Sequence, residues 1–213
     1  MSNTLICVAY TQGAGPETLS LFLPTLSPAQ QSRINSIKVS EKRLQSLCAH
    51  LLARHCLEQY FAGHTPPELC FAASGKPVLP GSEGVYISLS HTRGAVAAAV
   101  SDMPIGVDIE GVRAVRPSVE KLFSPQELSL FPEYDRSRRL LALWTRREAQ
   151  FKCTGESTVR RAPSRSVDSN RMLTRELDGG ERGFILSVCA GSAFKDTPRT
   201  EVLQLYELIS LLQ

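Results

Sequence analysis

Gly106-Val107-Asp108-Ile109-Glu110 is the stretch of this sequence from which the rest can be interpreted. Side chains alternate between the two faces of a strand, so Asp108 and Glu110 share one face while Val107 and Ile109 share the other. Two carboxylates this close repel each other unless a positive charge lies between them. A hard divalent cation, which takes oxygen ligands, fits that position. The alternative is a strand that ends in solvent with two ordinary acids.

The bulk composition limits the class of protein. A chain of 213 residues that is 42% hydrophobic and 21% charged can form one large globular domain or two small ones. No apolar run reaches the length that spans a bilayer, and residues 1–10 alternate like a first strand rather than a secretion signal. The cysteines form no CxxC pair, which favours reduced thiols. We therefore expect a cytoplasmic protein without a membrane partner.

The charge of the chain is unevenly distributed. Residues 136–165 contain nine Lys or Arg but only two acids, Glu148 and Glu156, in a chain whose net charge is +3. A local basic surface suits an acidic partner, phosphate groups or nucleic acid. A solvated, arginine-rich helix face is the alternative.

Hydrophobic periodicity predicts a chain of mixed helices and strands. The predicted helices begin at Ser27-Pro28 and cover residues 41–61 and 136–153. The predicted strands cover 85–90, 95–100, 105–109, 171–177, 183–189 and 201–209, and the last of these segments could pass from strand to helix. The strands 95–100 and 105–109 are expected to form a hairpin around residues 101–104. His50 and His55 are expected at the surface or boundary of their helix, without a metal-binding set around them.

A second group of polar residues lies on one predicted helix. Trp144, Glu148 and Lys152 are spaced by four, so they line one helix face. The alternative is an exposed Glu–Lys pair, worth about 0.2–0.5 kcal/mol. Beside Asp108 and Glu110, however, Glu148 supplies a third carboxylate, and three carboxylates with phosphate oxygens and water complete an octahedral Mg²⁺ site. A lysine one turn away would neutralise phosphate charge, so the set predicts phosphoryl transfer.

Two further motifs have competing interpretations. Ser90 and His91 are adjacent on a strand and point to opposite faces, so they cannot act as nucleophile and base, but they can offer a hydroxyl and an imidazole to a phosphate. Ser124-Pro125-Gln126-Glu127 has the form of a capping box, so Glu127 has a structural role available at a helix start.

Taken together, these motifs resemble the paired signature of the 4′-phosphopantetheinyl transferases. The match consists of residues 106–110 and 144–152, preceded in the right order by Gly75-Lys76-Pro77 and residues 88–92. It resembles the larger, monomeric type that activates carrier proteins of synthetases. The resemblance implies an α/β (α+β) fold with two similar half-domains, residues 1–104 and 105–213. They would be related by a pseudo-twofold, with the active site in the cleft between them.

The resemblance also implies the chemistry. The 4′-phosphopantetheine arm of coenzyme A would move to a serine of an apo acyl, peptidyl or aryl carrier protein, leaving adenosine 3′,5′-bisphosphate, with nucleic acid not expected as a partner. The implied residues are Asp108, Glu110 and Glu148 as Mg²⁺ ligands; Glu127, Glu148 and Lys152 as catalytic groups; and Arg43, Lys76, Ser90, His91 and Lys152 as contacts to coenzyme A.

The sequence departs from the family pattern at several positions. Arg147 replaces the usual lysine before the helix glutamate, Gln45 stands where an arginine is common, and residues 160–163 form an unusually polar segment. Two alternative functions use the same residues. One is a metal-dependent phosphohydrolase with water as nucleophile, and the other is a non-catalytic binder of coenzyme A or nucleic acid. The pathway served, whether fatty acid, polyketide or peptide synthesis, is left open.

Overall fold

The computed structural model describes residues 3–155 and 169–212 and has a mixed α/β architecture, which confirms the predicted fold class. The helices are α1 (Pro16–Phe22), α2 (Pro28–Asn35), α3 (Ser40–Tyr60), α4 (Pro125–Leu128), α5 (Arg136–Thr154) and α6 (Leu205–Leu211). The strands are β1 (Thr4–Tyr10), β2 (Cys70–Phe71), β3 (Pro77–Val78), β4 (Tyr86–Thr92), β5 (Ala95–Ser101), β6 (Ile105–Gly111), β7 (Met172–Asp178), β8 (Gly183–Ala190) and β9 (Arg199–Gln204). Short 3₁₀ turns cover Leu23–Thr25, Pro117–Leu122 and Ser169–Arg171.

The longer strands form two sheets. The first has the order β4-β5-β1-β9, with β1 antiparallel to β5 and parallel to β9. The second has the order β6-β8-β7 and is antiparallel throughout. Strand β9 and helix α6 therefore return to the first sheet from the second half of the chain. The division into half-domains at 104/105, and the pseudo-twofold, stay predictions.

Serine hydroxyls join the two sheets where β4 lies beside β6. The amide of Val107 donates to Ser88 Oγ at 3.0 Å, and the amide of Ile109 donates to Ser90 Oγ at 3.3 Å. These contacts advance along both strands in the same direction, so β4 and β6 run parallel. Because side-chain hydroxyls replace carbonyls as acceptors, the seam between the sheets depends on these two serines.

The predicted hairpin around residues 101–104 is wrong. Strand β5 pairs with β1 and β4, whereas β6 pairs with β8, so this segment carries the chain from one sheet to the other. Every residue of β5 is buried, and the strand lies between β4 and β1 in the first sheet. The hairpin that does form joins β4 to β5 through Arg93 and Gly94, and Gly94 has a φ of +89°.

Strand β1 lies at the centre of the core because both of its faces are covered. Leu5, Cys7 and Ala9 belong to the cluster formed with α3, whereas Ile6 and Val8 belong to the cluster formed with the second sheet. Helix α5 covers the second sheet, and it ends at Gly155 in the left-handed conformation, as its sequence predicts.

The prediction that His50 and His55 lie at the surface or boundary is wrong. Their residues are only 4% and 2% exposed. One ring nitrogen of each histidine has a hydrogen-bond partner inside the protein. His50 Nδ1 lies 2.7 Å from the carbonyl of Ser46, and His55 Nε2 lies 3.2 Å from Glu201 Oε2. Hydrogen bonds of this kind are what allow a polar ring to be buried.

All six cysteines are free, which confirms the prediction of reduced thiols. Among the helices of residues 3–155 and 169–212, none has the length and apolar character needed to cross a bilayer.

Candidate functional site

Asp108 and Lys152 bring the two predicted motifs together. Asp108 lies on β6 with 7% of its surface exposed, and its Oδ1 accepts a hydrogen bond from Lys152 Nζ on α5 at 2.8 Å. Lys152 also donates to the carbonyl of Val107 at 2.9 Å. A lysine that bridges the backbone and a side chain of one strand fixes α5 against β6 at the position of the carboxylate.

Gly106 allows this close approach. A Cβ at position 106 would lie 2.0 Å from the carbonyl oxygen of Ala149 and 2.5 Å from the amide nitrogen of Cys153. Only a residue without a side chain lets the helix backbone lie this close to the strand. Gly106 therefore sets the distance between β6 and α5 at which Asp108 meets Lys152.

Glu110 shares the face of Asp108 and also has a cationic partner. Its Oε2 accepts from Arg113 Nη1 at 2.8 Å and from Thr92 Oγ1 at 3.4 Å. Sequence reasoning missed Arg113, although its position three residues after the glutamate could have indicated the pair. Strand β4 thus contributes a hydroxyl to each acid, since Ser90 Oγ donates to Asp108 Oδ1 at 2.8 Å.

Glu148 lies on the part of α5 that is level with Asp108. Thr145 Oγ1 lies 2.8 Å from Ser187 Oγ, and Ser187 is the register partner of Asp108. Lys152, on the other side of Glu148 along the helix, bonds to Asp108 directly. Glu148 shares the face of Lys152 and precedes it by one turn. Position 148 of α5 therefore lies between two helix residues that bond to the second sheet at the level of Asp108.

The three carboxylates predicted as ligands offer only oxygen donors, which is the chemistry that Mg²⁺ prefers. Their oxygens do not all lie within 4.8 Å of one another in the described part of the chain. Asp108 and Glu110 are each paired with a cationic side chain of the protein, Asp108 with Lys152 and Glu110 with Arg113. These pairs relieve the repulsion between neighbouring acids.

Positive charge surrounds the end of β4. Although His91 keeps contact with solvent, the surrounding protein partly desolvates its ring, and this lowers its pKa. The charges of Lys152 and Lys42 lower the pKa further, while Asp108 raises it. The pKa of His91 therefore lies below its usual value, and the positive charges of Lys42 on α3 and Lys152 on α5 both act on its ring. This is an arrangement that attracts phosphate.

Lys76 and Arg43 occupy different surroundings. Lys76 is exposed in the turn between β2 and β3. The pKa of Cys153, near the end of α5, is lowered by a hydrogen bond from Cys189 and, less strongly, by the charges of Arg171 and Lys76. Arg43 instead donates two hydrogen bonds to one backbone carbonyl, that of Ile37, at 2.9 and 3.1 Å. Lys42, at the start of α3, is the residue of this helix whose charge lowers the pKa of His91, and it is not among the predicted contacts to coenzyme A.

Glu127 has both a capping role and an ion pair. The carboxylate of Glu127 accepts from the amide of Ser124 at 2.8 Å, and Ser124 Oγ accepts from the amide of Glu127 at 3.2 Å. These two bonds confirm the predicted capping box. Arg147 Nη2 also donates to its two oxygens at 2.9 and 3.0 Å. The guanidinium lies 4.4 Å from the ring centre of Phe123. Arg147 Nε donates to Glu127 Oε1 as well, at 3.2 Å, so two nitrogens of one planar group hold the carboxylate, a geometry that a lysine cannot reproduce.

The basic charge of α5 is partly neutralised within the protein. Arg136 pairs with Glu120 at 3.0 Å and Arg138 pairs with Glu176 at 2.8 Å. The cluster at residues 160–165, and the polar segment 160–163, lie outside the described residues. Within α5, these ion pairs reduce the positive charge that is available to a partner.

Comparison of the sequence with known proteins identifies relatives of this chain. The sequence pattern described as the 4′-phosphopantetheinyl transferase superfamily matches residues 104–185, which include both motifs. The chain is 31% identical over 143 residues to the 4′-phosphopantetheinyl transferase AcpT of Salmonella typhi, a match that covers 63% of this chain and 72% of AcpT. It is 25% identical over 207 residues to the 4′-phosphopantetheinyl transferase Sfp of Bacillus subtilis strain 168, covering 87% and 90% of the two chains.

A third relative matches over a shorter stretch. The chain is 30% identical over 119 residues to the 4′-phosphopantetheinyl transferase psf-1 of Bacillus pumilus, which is 53% of this chain. That match spans half the length of the Bacillus pumilus protein, whereas the match to Sfp spans most of both chains.

Proposed function

The chain belongs to the 4′-phosphopantetheinyl transferase superfamily, and on that premise we propose that it transfers 4′-phosphopantetheine from coenzyme A to a serine of an apo carrier protein. The products are the holo carrier protein and adenosine 3′,5′-bisphosphate. The observation that carries the proposal is the 2.8 Å contact between Lys152 Nζ and Asp108 Oδ1. It joins two motifs that lie far apart in sequence at one acidic and cationic site, as phosphoryl transfer requires.

Asp108, Glu110 and Glu148 are the proposed ligands of Mg²⁺. When bound, the ion neutralises charge on the pyrophosphate of coenzyme A. Ser90 supports this role because its hydroxyl orients Asp108, and Thr92 does the same for Glu110. Arrangements that fix the direction of ligand oxygens in this way are typical of metal sites.

The reaction breaks one bond and forms another at the β-phosphorus of coenzyme A. The carrier serine Oγ bonds to this phosphorus as the bridging oxygen departs with adenosine 3′,5′-bisphosphate. Lys152 is suited to hold the reacting phosphate, because its ammonium group already lies at the seam between β6 and α5. Stabilising charge at a fixed position contributes most of the catalysis in such reactions.

The proton of the attacking serine needs an acceptor. Glu127 is one candidate, but Ser124 and Arg147 already engage both of its oxygens, and the arginine stabilises the carboxylate in its ionised form. A water held near Glu148 and Lys152 is the other candidate. We propose that the water accepts the proton. Glu127 would instead hold Arg147, the neighbour of Glu148 on α5, in place.

The adenosine and phosphate groups of coenzyme A are proposed to lie against the cationic end of β4. His91 and Lys42 would contact phosphate oxygens, and Lys76 would contact the 3′-phosphate from its exposed turn. Ser90 has less capacity for this role than its sequence context indicates, because its hydroxyl already bonds to β6. Arg43 would reach the ligand only by giving up its contacts to Ile37.

The proposed partner is an apo acyl or peptidyl carrier protein with an acidic recognition surface. We further propose that the enzyme acts as a monomer in the cytoplasm. The acidic carrier would meet the basic segment 136–165, whose net charge is +7. The association rate would then fall as the salt concentration rises.

The test measures adenosine 3′,5′-bisphosphate released from coenzyme A, with and without an apo carrier protein. Transfer predicts release only with a carrier that has its acceptor serine, and none with the same carrier after its serine is replaced by alanine. Release without any carrier would identify a phosphohydrolase instead. Absence of release with every carrier, combined with binding of coenzyme A, would identify a non-catalytic binder.

A further inference from the structure

Three side chains with different metal-binding atoms meet on the first sheet, away from the site described above. They are Cys7 on β1, His55 on α3 and Glu201 on β9, and their ligand atoms all lie within 4.8 Å of one another. Cys7 and Glu201 are register partners on neighbouring parallel strands, so their side chains share one face. His55 comes from the helix that covers this face. Three elements remote in sequence thus supply one donor each.

The distances agree with a tetrahedral metal site. His55 Nε2 lies 3.2 Å from Glu201 Oε2, and Cys7 Sγ lies 3.8 Å from the same oxygen. Metal–ligand bonds of about 2.0–2.3 Å at tetrahedral angles separate neighbouring ligand atoms by about 3.3–3.8 Å. The side chains would therefore need only small shifts to receive an ion.

The chemical character of the donors selects the ion. A thiolate and an imidazole favour Zn²⁺ or a similar transition metal, whereas Mg²⁺ prefers oxygen alone. The thiol of Cys56 donates to the carbonyl of Leu5 at 4.0 Å and does not belong to this group, so a water molecule would complete the coordination of an ion. Cys7 and His55 are buried, and the side chain of Glu201 is 26% exposed, which gives an ion a path from solvent.

We propose that Cys7, His55 and Glu201 form a binding site for Zn²⁺ that ties α3 and β9 to β1. Binding replaces the thiol proton of Cys7, which leaves to solvent, and satisfies the imidazole and carboxylate that otherwise bond to each other. Strand β9 is the edge strand of the sheet and comes from the far end of the chain. A metal link to β1 would hold this late segment in the first sheet.

The proposed zinc site is separate from the transferase site. Cys7 faces α3, whereas its neighbours Ile6 and Val8 face the second sheet, which carries Asp108. The role is structural, so it does not rest on the proposed transfer reaction. Its test needs neither coenzyme A nor a carrier protein.

The test titrates the full chain, first stripped with a chelator, with Co²⁺ as a spectroscopic substitute for Zn²⁺. One equivalent is expected to give thiolate-to-cobalt charge transfer together with the strong visible bands of tetrahedral cobalt, and Zn²⁺ is expected to abolish both. E201Q, an isosteric change at a partly exposed side chain, should weaken affinity about tenfold or more. C7S should remove the charge-transfer band.

The matched control is C48S, which changes a buried cysteine of α3 outside the set and should leave the cobalt spectrum unaltered. Zn²⁺ should also raise the unfolding temperature of the wild type and of C48S, and at the same concentration it should raise that of E201Q less, provided that circular dichroism shows E201Q to be folded. The proposal would be overturned if the folded wild type bound no stoichiometric Co²⁺. It would also be overturned if E201Q and C7S bound it as the wild type does.

Discussion

The carboxylate of Asp108 accepts two hydrogen bonds on the same oxygen, one from Ser90 and one from Lys152. The serine belongs to the first sheet and the lysine to α5, so this oxygen is the point where both sheets and the helix meet. Fixing a carboxylate from two sides determines the direction of its other oxygen. A charged group that is positioned in advance in this way needs little reorganisation when the substrate arrives.

At the same scale, the charges around His91 predict a measurable titration. Lys152 and Lys42 lower the pKa of this imidazole, after desolvation, which is the largest cause. Replacing Lys42 by alanine should therefore raise the pKa, as followed by nuclear magnetic resonance of the ring protons. Lys121→Ala, in a 3₁₀ turn whose charge is not among those acting on His91, is the matched control. An unchanged pKa in the Lys42 variant would remove α3 from the cationic site.

His50 and His91 also predict how stability depends on pH. Desolvation lowers the pKa of each below the unfolded value of about 6.5, so the unfolded chain binds these protons more readily. Their contribution to the free energy of unfolding is complete above pH 6.5. It is lost as the pH falls from 6.5 toward the lower pKa values of the folded state.

Urea denaturation between pH 8 and pH 5 measures this loss. His50→Gln should flatten the slope below pH 6.5, whereas His64→Gln, at an exposed histidine, should leave it unaltered. A slope that stays the same in the His50 variant would contradict the assignment of a neutral, buried ring.

At the scale of elements, local patterns predicted the helices and strands well, because capping residues and apolar periodicity act within a few residues. Pairing between strands was predicted less well, since it depends on distant partners. The segment 101–104 lies between two buried strands, as a hairpin turn would, but β5 pairs with β1, which lies near residue 4 of the chain. The burial of His55 has the same cause, because Glu201 lies 146 residues away in sequence.

The contact between α5 and β6 predicts a severe effect of Gly106→Ala. The added Cβ would meet backbone atoms of Ala149 and Cys153, which cannot rotate away, so the helix must shift. We expect a loss of about 1–3 kcal/mol in the free energy of unfolding, and lower transfer activity because Lys152 moves with the helix.

Gly183→Ala is the control for this change. Its Cβ would come no closer than 3.3 Å, to a flexible glutamate side chain. Chemical denaturation of both variants compares them directly. Equal stability of the two variants would show that α5 does not lie against β6 as closely as described.

At the scale of the whole molecule, the two sheets meet through serine side chains. Ser88→Ala would leave the buried amide of Val107 without its acceptor, at a cost of about 1–3 kcal/mol. Ser36→Ala, at an exposed serine, is the control and should cost little. Thermal unfolding of both variants measures the difference, and a Ser88 variant as stable as the wild type would mean that the seam is held by other contacts.

The most direct test of the proposed function is the intact mass of an apo carrier protein after incubation with the enzyme, coenzyme A and Mg²⁺. The account predicts addition of one phosphopantetheine with at least one carrier of a panel, and loss of the addition when a chelator removes the metal. Asp108→Asn should slow it by about 10²–10³, while Glu120→Gln, at a surface ion pair, should not. No addition with any carrier, or full activity of the Asp108 variant, would contradict the account.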